Sequence, residues 1–145
     1  MDVESGKLRI MFVEDEPVYR RLFRDQARRR GYQVDEFTFA ELALQKLSQP
    51  TYREPDVVIC GLYMPPGIDG RDFARELRLR GFTMPFIMST PKIVDFFSSD
   101  IAEIESDGVD LVTGRPDSEA EFNGLLEDAT RLVLAKRENP ILQSP

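Results

Sequence analysis

The 145-residue sequence is 41% hydrophobic and 31% charged, a balance typical of one folded domain and distant from that of disordered chains. Its net charge of −7 argues against affinity for nucleic acid, and the absence of histidine excludes Ser-His or Cys-His catalysis and histidine metal sites. No apolar run approaches the roughly 20 residues that cross a bilayer, and the first residues lack a secretory signal. We therefore expect a cytoplasmic domain without membrane contact.

The first part of the chain predicts alternating strands and helices. Short apolar or alternating runs indicate strands, and longer runs with apolar residues at helical intervals indicate helices. The predicted elements are a strand at residues 8–13, a helix at 17–30, a strand at 33–37, a helix at 39–47 and a strand at 57–60. Pro17 suits the first turn of the first helix, and Gly31 ends it.

The first helix combines an apolar stripe with many arginines. Val18, Leu22, Phe23 and Ala27 recur at helical spacing and are predicted to face the core. The arginines are Arg20, Arg21, Arg24, Arg28, Arg29 and Arg30. They are interpreted either as a solvated face that balances nearby acids or as a contact surface for an acidic partner.

The second part of the chain continues the alternation. The predicted elements are a loop at 64–70, a helix at 72–80, a strand at 85–88, a helix at 93–104, a strand at 109–112 and a long helix at 117–136. The last helix has an apolar stripe of Phe122, Leu125, Leu126, Ala129, Leu132 and Val133. We expect one domain at residues 7–136, an N-terminal extension at 1–6 and a tail or linker start at 137–145.

Five strands alternating with five helices predict a doubly wound α/β fold, because parallel neighbours require crossover connections that place helices on both faces of the sheet. Ligands of such sheets lie beyond the carboxyl ends of the strands. Glu14 and Asp15 follow the first strand, and their oxygens are ligands that a hard cation prefers. The simpler interpretation is that these acids stabilise the N-terminus of the next helix.

Residues 55–70, with the sequence PDVVICGLYMPPGIDG, are similar to a stretch of bacterial response-regulator receiver domains in which a strand ends in Asp and continues through Met-Pro-Gly-x-Asp-Gly. In this register the phosphate-accepting Asp of the family falls on Gly61, and Pro66 is one extra residue. The resemblance implies the flavodoxin-like receiver fold, with five parallel strands in the order 2-1-3-4-5. It also implies that Glu14 and Asp15 stand where receivers hold a magnesium ion.

Three further positions match the receiver pattern with changes. Thr90, with Ser89 beside it, matches the hydroxyl residue that contacts the phosphoryl group, although its hydroxyl is equally suited to a local backbone hydrogen bond. Arg115 stands where receivers have lysine, and a planar guanidinium is a poor substitute for a compact ammonium. Val112 occupies the place of an aromatic residue that moves on activation.

These departures predict a pseudo-receiver, a module of phosphorelay signalling that binds protein partners without being phosphorylated. Glycine has no side chain to accept a phosphoryl group, so no catalysis and no cofactor, beyond weak Mg²⁺, are expected. Asp56 lies at the far end of the strand, Asp69 is expected to shape the loop, and Cys60 is expected to pack as an apolar group. The alternative is a sensor that binds a small ligand or cation in the remnant acidic pocket.

Receivers generally present their fourth helix, fifth strand and fifth helix to partners, so the resemblance places the contact surface, and a homodimer interface, near residues 93–104 and 120–131. Phe96 and Phe97 lie in this region and are typical of interface anchors. The competing interpretation is that at least one of these two rings belongs to the core.

Overall fold

The computed structural model describes residues 8–91 and 98–138. The strands are β1 (Arg9–Val13), β2 (Gln33–Phe37), β3 (Val57–Cys60), β4 (Phe86–Thr90) and β5 (Leu111–Gly114). The helices are α1 (Pro17–Arg29), α2 (Ala40–Leu47), α3 (Gly70–Leu79), α4 (Ser98–Glu105) and α5 (Glu119–Glu138). The strands form one parallel sheet in the order β2-β1-β3-β4-β5, which confirms the predicted fold. None of the helices described is long and apolar enough to cross a membrane.

The sheet separates two apolar cores because successive side chains of a strand point to opposite faces. Met11 of β1 packs with Val58 of β3 on the side covered by α2, α3 and α4. Ile10 of β1 packs with Ile59 of β3 on the side covered by α1 and α5. Both faces of β3 are fully buried, which explains why its sequence, VVIC, is apolar without alternation.

Helix α1 buries Phe23 and Ala27, as predicted, but not the other two residues of the predicted stripe. Val18 and Leu22 are 65% and 42% exposed, so the prediction that they face the core is wrong. The buried stripe is Tyr19, Phe23 and Ala27. Packing explains why α1 turns this face to the core. The ring of Phe23 stacks on that of Phe12 in β1, and the buried Tyr19 hydroxyl donates to the Pro116 carbonyl oxygen at 3.2 Å.

The last strands and helices differ from the prediction at their ends. β4 and β5 each continue two residues further than predicted, because Ser89 pairs with Thr113 and Thr90 with Gly114 in the parallel ladder. α5 begins at Glu119 after Ser118, whose hydroxyl accepts a hydrogen bond from the Glu121 amide. The predicted fourth helix is observed from Ser98 onwards, and Phe96 and Phe97 lie outside the described residues.

Three arginines of α3 bind the segment between α4 and β5. Arg71 and Arg75 donate to the two carboxylate oxygens of Asp107 at 2.6 and 2.9 Å. Arg78 donates to the Gly108 carbonyl oxygen at 2.7 Å and pairs with Asp110 at 3.2 Å. These contacts fasten the α4–β5 connection to α3 on one side of the sheet.

Candidate functional site

The carboxyl ends of β1, β3, β4 and β5 surround a pocket of about 150 Å³. Glu14, Asp15, Thr90 and Arg115, the residues of the predicted remnant pocket, line it together with Gly61 and Ser89. Glu16, Leu62, Tyr63 and Pro91 complete the lining. The predicted residues meet because the strands are parallel and adjacent, so their carboxyl ends lie at one edge of the sheet.

Glu14 is a buried carboxyl group at the end of β1, with only 8% of the residue exposed. Its Oε2 accepts a hydrogen bond from the Glu16 amide at 3.1 Å. Burial raises the pKa of Glu14 from 4.5 to about 7, with a further upward contribution from Asp15, while the Glu16 amide and the Arg115 charge oppose the rise. A substantial fraction of Glu14 is therefore protonated and uncharged at neutral pH.

The backbone at Gly61 does not require glycine. Its φ is not among the positive values, which occur at Gly31, Gly81 and Gly108. A Cβ added at Gly61 would lie 3.5 Å from Glu14 Oε1 and 4.0 Å from the Ser89 carbonyl oxygen, which are ordinary van der Waals distances. The fold would thus accept a Cβ at this position, so the glycine is not a steric necessity.

Ser89 and Thr90 are buried at the end of β4. The Ser89 hydroxyl donates to the Gly114 carbonyl oxygen at 3.4 Å, which links it to the neighbouring strand β5. Val112 of β5 is partly buried and packs against the core on the α3 side. An aliphatic side chain therefore occupies the position for which the resemblance implies a mobile aromatic ring.

Arg115 extends from β5 across the pocket towards the β1–α1 connection. Its Nη2 lies 2.9 Å from Glu16 Oε2 and 3.8 Å from Glu14 Oε2. Its guanidinium carbon lies 3.6 Å from the centre of the Tyr19 ring. Burial raises the pKa of the Tyr19 hydroxyl above its ordinary range, although the Arg115 charge opposes the rise.

The roles of Glu16 and Tyr19 were not predicted from the sequence. The helical spacing of Tyr19 with Phe23 and Ala27 was a signal for its burial. No sequence pattern indicated that Arg115 would cross to them, because that depends on the direction of one long side chain.

Comparison with known proteins assigns the chain to a family. A family model described as the response regulator receiver domain matches residues 10–112, which is most of the chain. The chain belongs to this family. The transcriptional regulatory protein QseB of Escherichia coli O157:H7 is 31% identical to this receiver over 133 residues, which cover 91% of the chain and 55% of QseB. The sensor protein EvgS of Escherichia coli (strain K12) is 37% identical over 79 residues, 54% of the chain and 6% of EvgS.

Solved receiver structures have the same fold. The response regulator TrrA of Thermotoga maritima, in complex with Mg²⁺ and BeF, is 28% identical, with a TM-score of 0.69 over 86% of this chain and 98% of TrrA. The receiver domain of Francisella response regulator 1452 has a TM-score of 0.76 at 16% identity over 90% of this chain and 99% of that domain, which shows the fold alone. The receiver spans only a part, from 6% to 55%, of the curated relatives that it matches.

The donor set of this receiver does not fit a resident magnesium ion. Mg²⁺ requires six oxygen ligands in near-octahedral geometry, drawn from a few carboxylates, phosphate and water. Glu14 is partly protonated, accepts a hydrogen bond from an amide and has the Arg115 guanidinium 3.8 Å away. Within residues 8–91 and 98–138 no group of three or more acidic or cysteine side chains is arranged to hold a metal ion.

The other acids and the thiol near β3 have structural partners. Asp56, at the amino end of β3, accepts from the Arg9 amide at 2.8 Å and from Arg137 at 2.7 Å. Asp69 caps α3 by accepting from the Asp72 amide at 2.8 Å, as its predicted turn role requires. The buried Cys60 thiol donates to the Gly61 carbonyl oxygen, and burial raises its pKa, so the reactive thiolate is disfavoured.

Proposed function

We propose that this receiver is a pseudo-receiver, a cytoplasmic module of two-component signalling that binds protein partners without being phosphorylated and without acting as an enzyme. The observation that carries the proposal is Gly61 at the carboxyl end of β3, where the receiver pattern has the phosphate-accepting aspartate. Membership of the receiver family gives the signalling context. The missing carboxylate removes the nucleophile on which aspartyl phosphate formation depends.

No neighbouring group is suited to replace the missing nucleophile. Glu14 is buried and partly protonated, and a protonated carboxyl group is a poor nucleophile. Ser89 and Thr90 are buried hydroxyls, and the pocket contains no histidine to activate them because the chain has none. Asp15 is partly exposed and precedes the exposed Glu16, which binds Arg115. Both acids lie in the connection to α1 rather than at the end of β3.

The proposed partner surface comprises α4, β5 and α5, and its proposed occupant is a second copy of the chain. β5 is an edge strand, and a groove of about 370 Å³ lies between β5 and α5. Gly124 of α5 lines this groove, and a Cβ added there would meet nothing within 4 Å. α5 carries Asp128 and the exposed Arg131 one turn apart, and a surface with both charges can pair with itself about a two-fold axis.

The arginines of α1 are mostly engaged within the chain. Arg20 and Arg24 pair with Glu36 of β2, and Arg30 donates to Asn123 of α5. Arg28 donates to the Val34 carbonyl oxygen at 3.0 Å. This supports the interpretation of the basic face as internally balanced, and it leaves the β5–α5 surface as the stronger candidate for partner contact.

Intact-mass analysis after incubation with acetyl phosphate and Mg²⁺ tests the loss of phosphorylation. The wild-type chain is expected to show no phosphate adduct, because no nucleophile lies at the end of β3. The Asp15→Asn variant is the matched control for the partly exposed carboxylate of Asp15. An adduct on the wild type would contradict the proposal, and its loss in Asp15→Asn would locate the acceptor at Asp15.

Analytical ultracentrifugation tests the homodimer. The wild type is expected to dimerise, and Gly124→Arg is expected to be monomeric because its side chain fills the groove. Arg21→Gln, on the exposed surface of α1, is expected to dimerise like the wild type. A monomeric wild type, or a dimer that Gly124→Arg leaves intact, would rule out this interface.

A further inference from the structure

We propose that Arg115 is a built-in cation that closes the acidic pocket, so that the pocket binds divalent metal ions only after the Arg115 charge is removed. This role is independent of the proposed function, since it concerns cation binding and not phosphorylation or partners. The guanidinium lies beside the pocket acids, is held there by Tyr19, and leaves few free carboxylate oxygens for an incoming ion.

The guanidinium occupies the position from which a cation would contact the pocket acids. Its Nη2 lies 2.9 Å from Glu16 Oε2 and 3.8 Å from Glu14 Oε2, and the side chains of Arg115 and Glu14 are only 19% and 11% exposed. Opposite charges at these distances attract each other strongly where water is partly excluded. Arg115 thus supplies the positive charge that the acids of this pocket require.

Arg115 is held in place by aromatic packing as well as by charge. Its guanidinium lies over the face of Tyr19, an arrangement that favours a cation electrostatically. Tyr19 is itself fixed, since its ring stacks with that of Phe122 in α5 and its hydroxyl donates to Pro116, the residue after Arg115. Moving Arg115 out of the pocket would uncover this ring, so the bound position is favoured before any ligand arrives.

The Arg115 Nε shows that hydrogen bonding alone does not set this position. It is buried and has no hydrogen-bond partner among the described residues. A buried donor without a partner is unfavourable, so the contacts of the guanidinium with Tyr19, Glu14 and Glu16 must offset that cost. The side chain is therefore retained by the pocket itself.

An incoming divalent ion would meet an unfavourable site. To contact Glu14 it would have to approach within several ångströms of the guanidinium, and like charges at that distance repel. One oxygen of Glu14 already accepts the Glu16 amide, and one oxygen of Glu16 already binds Arg115. Removing the Arg115 charge would free Glu16 and end the repulsion.

Paramagnetic broadening by Mn²⁺ in amide NMR spectra of the full chain, recorded at alkaline pH so that Glu14 is ionised, tests the proposal. The wild type is expected to show no saturable broadening near residues 14–16 and 61. Arg115→Met is expected to show it there with apparent affinity at least about ten-fold higher, because one like charge has been removed and an unbranched side chain still covers Tyr19. Arg80→Met, which removes an exposed arginine paired with Glu76 of α3, is the matched control and should behave as the wild type.

Two results would overturn the proposal. One is saturable broadening of residues 14–16 in the wild type at the affinity seen in Arg115→Met. The other is a folded Arg115→Met chain, identified by dispersed amide resonances, that shows no broadening there. Arg115→Gln provides a second neutral variant, to be judged by the same outcomes if Arg115→Met does not fold. Neither result tests phosphorylation, which is measured separately, without Mn²⁺, from the intact mass of the chain.

Discussion

Glu14 shows how strongly the pocket changes the chemistry of a single residue. Its pKa is about 7 in the folded chain and 4.5 for an ordinary glutamate, chiefly because the carboxyl is buried. Between these two values the folded state binds more protons than the unfolded state. Stability must therefore fall as the pH rises from 4.5 towards 7, and this contribution levels off above 7.

The Glu14→Gln variant is predicted to lose this part of the pH dependence, since glutamine has a similar shape and no charge to desolvate. Denaturant unfolding at about pH 5 and about pH 8 measures it. The wild type should lose more stability between the two conditions than Glu14→Gln does. Glu127→Gln, at an exposed position of α5, should follow the wild type. Equal losses in the wild type and Glu14→Gln would contradict the assignment of Glu14 as a buried, raised-pKa group.

The pocket residues also show what sequence reasoning can reach at this scale. Glu14, Asp15, Thr90 and Arg115 were predicted to meet, because residues that follow parallel strands share one edge of the sheet. The direction of the Arg115 side chain, and hence its contacts with Glu16 and Tyr19, was not predictable. Those contacts depend on packing against α1, whose buried face was itself misassigned through Val18 and Leu22.

At the scale of elements, a fully apolar run of residues was the sequence feature that best predicted the limits of a strand. The limits of β3 were predicted correctly because a strand buried on both faces is apolar throughout, and the run VVIC stands between the polar Asp56 and Gly61. The predicted start of β5 is two residues early, because Val109 in the preceding loop is apolar and buried like a strand residue. Asp110 accepts from the Phe86 amide at 2.8 Å there, a side-chain contact that local patterning does not encode.

Two glycines in helices are predicted to respond oppositely to alanine. A Cβ at Gly70, the first residue of α3, would overlap the Gly61 carbonyl oxygen and lie 3.0 Å from Met88 Cε. Gly70→Ala should therefore destabilise the fold by about 1–3 kcal/mol through overpacking. Gly124→Ala should stabilise it by up to about 1 kcal/mol, because its Cβ meets nothing within 4 Å in the helix interior.

Urea unfolding midpoints of the two alanine variants and the wild type measure this difference. Each variant serves as the control for the other, since both replace a helical glycine of the same domain with alanine. A rise of both midpoints would show that helix propensity, and not the close approach of α3 to the end of β3, governs Gly70. The approach matters for the site because it positions the backbone of Gly61.

At the scale of the whole molecule, the receiver architecture is intact, and the proposed loss of phosphorylation rests on single positions of the pocket rather than on the fold. The two cores and the sheet order are those of the family. The arginines of α3 fasten the α4–β5 connection, and Arg115 joins the β5–α5 connection to α1. The proposed partner surface is thus bordered on both sides by contacts that need no phosphoryl group, which accords with one fixed conformation.

The most direct test of phosphorylation independence is an amide NMR titration of the wild-type chain with beryllofluoride and Mg²⁺, which together imitate a bound phosphoryl group. Resonances of residues 14–16, 61, 89–90 and 111–115 are predicted to remain unchanged at saturating concentrations. Saturable shifts of these resonances, extending along β5 into α5, would contradict the account and show that the pocket still accepts the phosphoryl group and transmits its presence.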